Sequence, residues 1–401
     1  MNAELKFEDI SFEEQKDKLV INFLKIFQTE IEKSKLEKIG NFKIEDNKII
    51  FSNSSKETAE RKFNRILAAS FENLKNKLSG KKAIYIHKNS GIPLIGNLEF
   101  GIVDRNTSLI ELRPMTSCNL DCVFCSVDES KRCVDFVVEK DYLVEEFKKL
   151  VEFKQCDNIE AHIGTQGEPL LYEPLADLVR DLRKLKQVKK FSINTNATLL
   201  TKKKADELID AGLTNFNISL NAIDENIAKK MANKSSYSVK NILEIAEYVA
   251  KKGANVRLSP VWVNTMNDKE IEKIILFAKK IGAKLGIQNF LEYKFGKKPA
   301  KQLDFEEFFK RLKGLEKKHN AKLILSSDDF NIQYTKKLPK PADKGDIIKA
   351  EIKFPGRLKK EMIGVFDNRT ITLTNCTKSI GATVKARILR SKHNIFMGIC
   401  I

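Results

Sequence analysis

The chain has 401 residues, and its 42% hydrophobic content is spread along the whole length, which excludes a largely disordered protein and suffices for two or three folded units. Lys and Arg outnumber Asp and Glu by 72 to 54, a formal charge of +18; this favours polyanionic partners, although a hyperthermophile's surface has the same bias. No run of about 18 apolar residues offers a membrane span, residues 1–12 carry Glu4, Glu8 and Asp9 instead of a secretory core, and seven cysteines, an odd number, suit a reducing cytoplasm better than a disulfide framework.

In chain order, residues 12–38 place Leu19, Ile21, Phe23, Leu24, Phe27 and Ile31 at helical spacing, residues 42–51 alternate as a short hairpin, and residues 57–78 return to a helical pattern. Residues 1–95 are therefore expected to form a helix-rich attachment. From about Ser108 the pattern becomes short apolar runs alternating with amphipathic helices, the mark of a parallel α/β sheet or barrel. Strands are expected at 109–113, 159–163, 190–194, 215–220, 255–261 and 284–290. Helices are expected at 140–153, 171–185, 202–211, 239–251, 268–281 and 305–318. The fold class is α/β: a partial (β/α)6 barrel over residues 96–325. Residues 326–343, with Pro339, Pro341 and several lysines, read as a linker. Residues 344–401 show short alternating segments at 347–354, 362–366, 370–374, 383–389 and 395–399, which suit a small all-β barrel.

The segment Met115-Thr116-Ser117-Cys118-Asn119-Leu120-Asp121-Cys122-Val123-Phe124-Cys125 follows the first predicted barrel strand. Three cysteines within eight residues can wrap three corners of a cubane and leave the fourth iron open. Tetrahedral zinc usually draws paired ligands from two separated segments, and no second Cys-x2-Cys or His pair occurs.

This Cys-x3-Cys-x2-Cys spacing, with Phe124 before the third cysteine, resembles the defining motif of the radical S-adenosylmethionine (SAM) superfamily. The resemblance implies a [4Fe-4S] cluster ligated by Cys118, Cys122 and Cys125, with SAM chelating the open iron and being cleaved to a 5'-deoxyadenosyl radical. It implies that Phe124 lies against the adenine. Gln166-Gly167-Glu168-Pro169 resembles the family's Gly-Gly-Glu-Pro turn, with Gln166 in place of the first glycine. This places Gly167 and Glu168 at the methionine amino group. Asn194-Thr195-Asn196 resembles the Thr-Asn-Gly segment with Ala197 replacing its glycine, and Ser219-Leu220-Asn221 resembles the Ser-Leu-Asp stretch. Thr195, Asn196, Ser219 and Asn221 are thereby expected to contact SAM. Independently, these groups fall at carboxyl ends of predicted strands, where parallel barrels assemble their sites. Arg257 and Gln288, within the fifth and sixth strands, are further SAM-site candidates; His162, within the second, reads as a core histidine. No catalytic acid or base is singled out.

Residues 336–401 hold fifteen Lys and Arg against five Asp and Glu, so about ten of the eighteen excess charges fall there. Such asymmetry favours a polyanion-binding module over a general surface bias. Lys344-Gly345-Asp346-Ile347-Ile348, Gly381-Ala382-Thr383-Val384-Lys385-Ala386-Arg387-Ile388 and His393-Asn394-Ile395-Phe396-Met397-Gly398 resemble a TRAM domain, an oligonucleotide-binding-type barrel of RNA-modifying enzymes. The resemblance implies tRNA as partner and Lys349, Lys353, Arg357, Lys385, Arg387, Arg390 and Lys392 as RNA contacts.

The combined expectation is a tRNA-modifying radical SAM enzyme of archaeal type. It would functionalise, for example methylate, an unactivated carbon of a nucleoside, fed by a low-potential electron donor protein and without a membrane. Methylthiotransferases of similar layout carry three further N-terminal cysteines, whereas none precedes Cys118 here, and Cys133, Cys156, Cys376 and Cys400 are scattered. The alternatives are a maturase of a peptide or small cofactor, with the C-terminal barrel as an interaction module, and an RNA-binding iron-sulfur regulator.

Overall fold

The computed structural model describes residues 2–164 and 166–401. Its central sheet holds six parallel strands in chain order: Leu109–Arg113, Ile159–Ile163, Val188–Thr195, Asn215–Ile218, Asn255–Leu258 and Lys284–Leu285. Gly101–Asp104 adds an antiparallel edge. Helices Lys140–Lys154, Leu175–Arg183, Lys202–Ala211, Val239–Lys251, Asp268–Ile281 and Phe305–His319 lie between or after these strands. An extra helix, Glu225–Ala232, follows the fourth strand.

The sequence pattern explains both faces of the sheet. In Asp268–Ile281 the buried Ile271, Ile274, Ile275 and Ala278 recur at helical spacing, and Gly282, at φ 68°, ends the helix by donating its N–H to the carbonyls of Ala278 and Lys279. Along the strands Ile110, Leu112, Ala161, Ile163, Phe216 and Ile218 are buried. The alternate positions Glu111, Arg113, His162, Asn217 and Ser219 line an interior cavity. The fifth and sixth predicted strands are interrupted. Beyond Leu258 and Leu285 the chain pairs again as a separate parallel ribbon, Val261–Trp262 against Gln288–Asn289, with Pro260, which has no N–H to donate, in the gap.

The helix-rich N-terminal attachment is not what forms. Residues 12–38 fold as strands Ile10–Glu14, Lys18–Phe23 and Phe27–Glu32 followed by the single-turn helix Lys33–Glu37. The buried Leu19, Ile21 and Phe23 alternate with period two, as do Phe27, Thr29 and Ile31. The connecting turn runs through Leu24 and Lys25 at φ 47° and 63°, residues that carry no turn signal. The two alternating runs joined without a break therefore mimic helical spacing. These strands continue through Lys75–Asn76 and Lys82–Ile86 to Val134–Val138, so the sheet takes its last strand from the segment just after the cysteine loop. The hairpin Phe42–Glu45 with Lys48–Ser52 and the helix Lys56–Phe71 complete this region.

The C-terminal region is a closed five-stranded barrel of Ile347–Pro355, Met362–Phe366, Arg369–Thr374, Thr383–Arg390 and Met397–Cys400. Arg369–Thr374 and Met397–Cys400 pair parallel; the other neighbours are antiparallel. It is docked on the rest of the chain. The N–H groups of Thr370 and Phe396 donate to the carbonyls of Ile95 (3.0 Å) and Gly96 (2.8 Å), and Phe354 packs its ring 5.5 Å from that of Phe136. Gly96 permits this approach, since a Cβ there would lie 2.1 Å from the Thr370 carbonyl oxygen. Among the described residues no helix is long and apolar enough to cross a membrane.

Candidate functional site

Cys118, Cys122 and Cys125 line one cavity of about 680 Å³ at the carboxyl ends of the parallel strands. The stem of their loop is fixed from behind by a buried polar hub. Asn76 Nδ2 donates to Ser117 Oγ (3.0 Å) and to Asp135 Oδ2 (2.5 Å), and Arg132 Nε donates to Asp135 Oδ1 (3.0 Å). A second Arg132 nitrogen donates to the Thr116 carbonyl. All five residues are buried. The far side of the loop is held by the segment after the last strand. Lys297 pairs with Asp121 and donates its backbone N–H to the Cys125 carbonyl (3.0 Å). Asn233 Nδ2 donates to Asp121 Oδ2 (2.9 Å). The loop after the first parallel strand is thus tied to the segment after the last.

Gly167, Glu168, Thr195, Asn196, Ser219, Asn221, Phe124 and Gln288 line this same cavity. The Glu168 N–H donates to the Ser117 carbonyl (2.8 Å), tying the turn to the cysteine loop. Gly167 is required there, because a Cβ would lie 2.4 Å from the Ser117 carbonyl oxygen. The buried Glu168 carboxyl accepts from Thr195 Oγ1 (2.7 Å) and from the N–H groups of Asn196 (2.8 Å) and Leu170 (3.0 Å). Burial outweighs these donors and raises its pKa to about 7. Asn196 Nδ2 donates to Asn119 Oδ1 (2.9 Å). Ala197 keeps a glycine-like φ of 58°. Asn221 is partly committed elsewhere, its Oδ1 accepting the Val261 N–H (2.9 Å).

Arg257 lies apart from the group. It lines an adjoining inner cavity of about 420 Å³, with its guanidinium carbon 4.5 Å from the centre of the Phe330 ring and its buried Nε without a hydrogen-bond partner. His162 and Gln288 line both cavities. His162 is thus a lumen residue, not a core one. Its Nδ1 lies 2.7 Å from Ser192 Oγ, which donates to Glu160 Oε1 (2.5 Å), and burial lowers its pKa. Pattern reasoning also passed over Tyr237, Ser259 and Asn194 on the walls. The period-two rule, applied to strands with polar residues on one face, finds Asn194 and Ser259.

Burial pushes the Cys122 thiol up to about 12 and raises Cys118 and Cys125 as well. Thiolates at these positions therefore need a bound cation to compensate them. Among the described residues no three His, Cys, Asp or Glu side chains converge at the spacing of one metal ion. In a cubane each thiolate meets a different iron, and three thiols spaced around one roomy cavity fit such a cluster. The remaining cysteines lie elsewhere: Cys133 is exposed, Cys156 half-buried, and Cys376 and Cys400 pack together in the C-terminal barrel.

Of the basic side chains expected to meet RNA, Lys349, Lys385, Arg387, Arg390 and Lys392 are exposed. Lys353 is half-buried and bonded to Glu351 at 2.7 Å. Arg357 departs from that expectation. It is 5% exposed, with its guanidinium directed at Gln166 in the turn beside the cysteine loop. A group so enclosed is unavailable to a polyanion.

The profile of the "Radical SAM superfamily" matches residues 112–278, which contain the cysteine loop and most of the parallel sheet. The uncharacterized protein MJ0103 of Methanocaldococcus jannaschii is 37% identical over 420 residues, covering 94% of each chain. A GTP 3',8-cyclase of Thermodesulfovibrio yellowstonii is 30% identical over 194 residues, 47% of this chain and 58% of the cyclase, so the match takes in little more than half of that relative. The SAM-bound crystal structure of SuiB from Streptococcus suis superposes with a TM-score of 0.43 at 16% identity, covering 80% of this chain and 72% of that one. With its three thiols around one cavity and this profile match, residues 112–278 form a domain of the radical SAM superfamily, whose cofactors are a [4Fe-4S] cluster and S-adenosylmethionine.

Proposed function

We propose that this chain is a tRNA-modifying radical SAM enzyme that functionalises, for example by methylation, an unactivated carbon of a nucleoside. In this reading Cys118, Cys122 and Cys125 hold three irons of the cluster. Glu168 and the backbone around Gly167 receive the methionine amino group, Phe124 flanks the adenine, and Thr195, Asn196, Ser219 and Asn221 complete the SAM site. When bound, the cluster and SAM supply the radical; the chain's own side chains bind, orient and exclude water. A low-potential donor protein provides the electron, and a reducing cytoplasm suits the exposed Cys133.

The observation that carries the RNA assignment is a charge ladder on the C-terminal barrel. Lys349 and Lys385 stand directly opposite each other across two antiparallel strands, with Arg387 two residues further on. All three are exposed, and among the described residues none pairs with a carboxylate. Like charges in direct register destabilise a strand pair by themselves, and a phosphate backbone would relieve the repulsion. This supports the oligonucleotide-binding, TRAM-like reading of the barrel. The test is tRNA binding by the full chain as a function of salt, with Lys349→Glu combined with Lys385→Glu. The slope of log affinity against log salt should flatten by about one to two, and an unchanged slope would remove the barrel from RNA recognition. Mass spectrometry of tRNA nucleosides from cells with and without the gene then identifies product and position.

A second reading, maturation of a small cofactor from a nucleotide, is favoured by one specific observation. The inner cavity presents Arg257 beside Phe330 with no carboxylate paired to it among the described residues, a setting for an anionic heterocycle, and the similar cyclase acts by name on GTP. Saturable binding of GTP that Arg257→Met abolishes, without tRNA binding, would select this reading.

A further inference from the structure

Arg357 sits on the tight loop between the first two strands of the C-terminal barrel. The loop is drawn together by the Gly356 N–H donating to the Glu361 carbonyl (2.7 Å) and by the Leu358 N–H donating to Glu361 Oε2 (3.0 Å). From there the Arg357 side chain enters the catalytic body. One terminal nitrogen donates to Gln166 Oε1 and the other to the Gln166 carbonyl (3.2 Å), while the Arg357 carbonyl accepts the Cys133 N–H (2.8 Å). Its Nε is buried without a partner, and among the described residues no carboxylate pairs with it. A guanidinium enclosed with no carboxylate in bonding contact, and with Glu99 and Glu129 acting on it only at longer range, costs stability. Its retention is explained if the two bonds to Gln166 serve the site.

Gln166 opens the turn in which Gly167 packs on the Ser117 carbonyl and the Glu168 N–H donates to that same oxygen. A residue that grips both the side chain and the backbone of Gln166 therefore sets where Gly167 and Glu168 sit relative to the cysteine loop. The barrel that carries Arg357 is itself fixed by the Ile95 and Gly96 backbone bonds and by the Phe354 contact, so the grip has a rigid base. We propose that Arg357 is a positioning residue of the SAM site, acting through Gln166, and that the C-terminal barrel is a structural part of that site as well as an appended module. This rests on assigning the cysteine loop and the Gln166–Glu168 turn to the cofactors and is independent of the identity of the substrate.

The test compares the anaerobically reconstituted full chain with Arg357→Met, Arg357→Lys, Gln166→Ala and the Gln166→Ala/Arg357→Met double variant. Iron per chain, equilibrium binding of SAM, and the change in the reduced cluster's electron paramagnetic resonance spectrum on adding SAM are measured for each. Arg357→Met should retain iron and lower SAM affinity at least tenfold, with a muted spectral change. Arg357→Lys should recover part of the affinity. Gln166→Ala, which removes the side-chain bond and keeps the backbone one, should lower SAM affinity but less than Arg357→Met, and the double variant should be no worse than Arg357→Met alone, because that substitution already removes both bonds. If Arg357→Met binds SAM within twofold of the wild type, or if the two single effects multiply in the double variant, the inference is wrong. Wild-type protein that carries the cluster and binds no SAM would instead overturn the site assignment. Should Arg357→Met not fold, the Gln166→Ala and Arg357→Lys comparison still decides: full SAM affinity in both overturns the inference.

Discussion

Glu168→Gln separates the electrostatics of the buried turn from its hydrogen bonding. Glu168 is 1% exposed and burial raises its carboxyl from 4.5 to about 7. Between these values the folded chain holds a proton that the unfolded chain has released. The stability contributed by this proton is complete below about pH 4.5 and is lost as pH rises through about 7. The size of that loss is about 3 kcal/mol, at about 1.4 kcal/mol per pH unit. Gln cannot ionise, so the loss disappears in the variant. Its amide, however, can place only one oxygen where the carboxyl offered two. Setting the NH₂ at the Oε2 position turns it toward the Asn196 N–H, which had donated at 2.8 Å, at a cost of about 1–3 kcal/mol at every pH. Anaerobic denaturant unfolding of the apoprotein, followed by circular dichroism and by the fluorescence of Trp262, the single tryptophan, should find the variant less stable than wild type at pH 5. At pH 8 the gap should close or reverse. Distant groups titrate alike in both proteins and cancel in the difference. An equal gap at both pH values would show that burial does not hold a proton on Glu168 in this range.

Three other substitutions probe the same frame. Asp135→Asn removes one of the two carboxylates, with Glu129, that pair with Arg132, whose side chain is 0% exposed, and should cost about 1–3 kcal/mol, with a lower melting temperature and less iron per chain after reconstitution. Gly167→Ala drives a methyl group to 2.4 Å from the Ser117 carbonyl oxygen; about 1–3 kcal/mol of stability should be lost, and equilibrium dialysis should show SAM binding impaired more than iron loading. Ala197→Gly relieves an L-residue at φ 58° and should leave unfolding unchanged or stabilised by up to about 1 kcal/mol, with unaltered SAM affinity.

The parallel sheet and its helices were legible because each unit buries one face, and the periods of Ile271, Ile274, Ile275 and Ala278 or of Ile110 and Leu112 record that burial locally. The cysteine loop was legible because its three thiols lie within eight residues. The N-terminal strands were not, since Leu24 and Lys25 adopt positive φ without the Gly or Asn that normally announces such a turn. Long-range support left no trace either. Asn76 reaches Ser117 across 41 positions and Arg357 reaches Gln166 across 191; one reads in sequence as an ordinary polar residue, the other as one more charge on a basic segment. Concentrated charge identified the barrel's basic face but could not show which of its arginines turns inward.

Radical initiation at the cysteine loop is the step on which the rest of the proposed function depends. Its most direct test is 5'-deoxyadenosine formation from SAM by the anaerobically reconstituted full chain under a strong reductant, beside Cys118→Ala, Cys122→Ala and Cys125→Ala. Deoxyadenosine should form with the wild type and with none of the three variants. A wild-type protein that carries its cluster and binds SAM yet forms no deoxyadenosine, or a variant that forms as much as wild type, would contradict radical initiation at this loop.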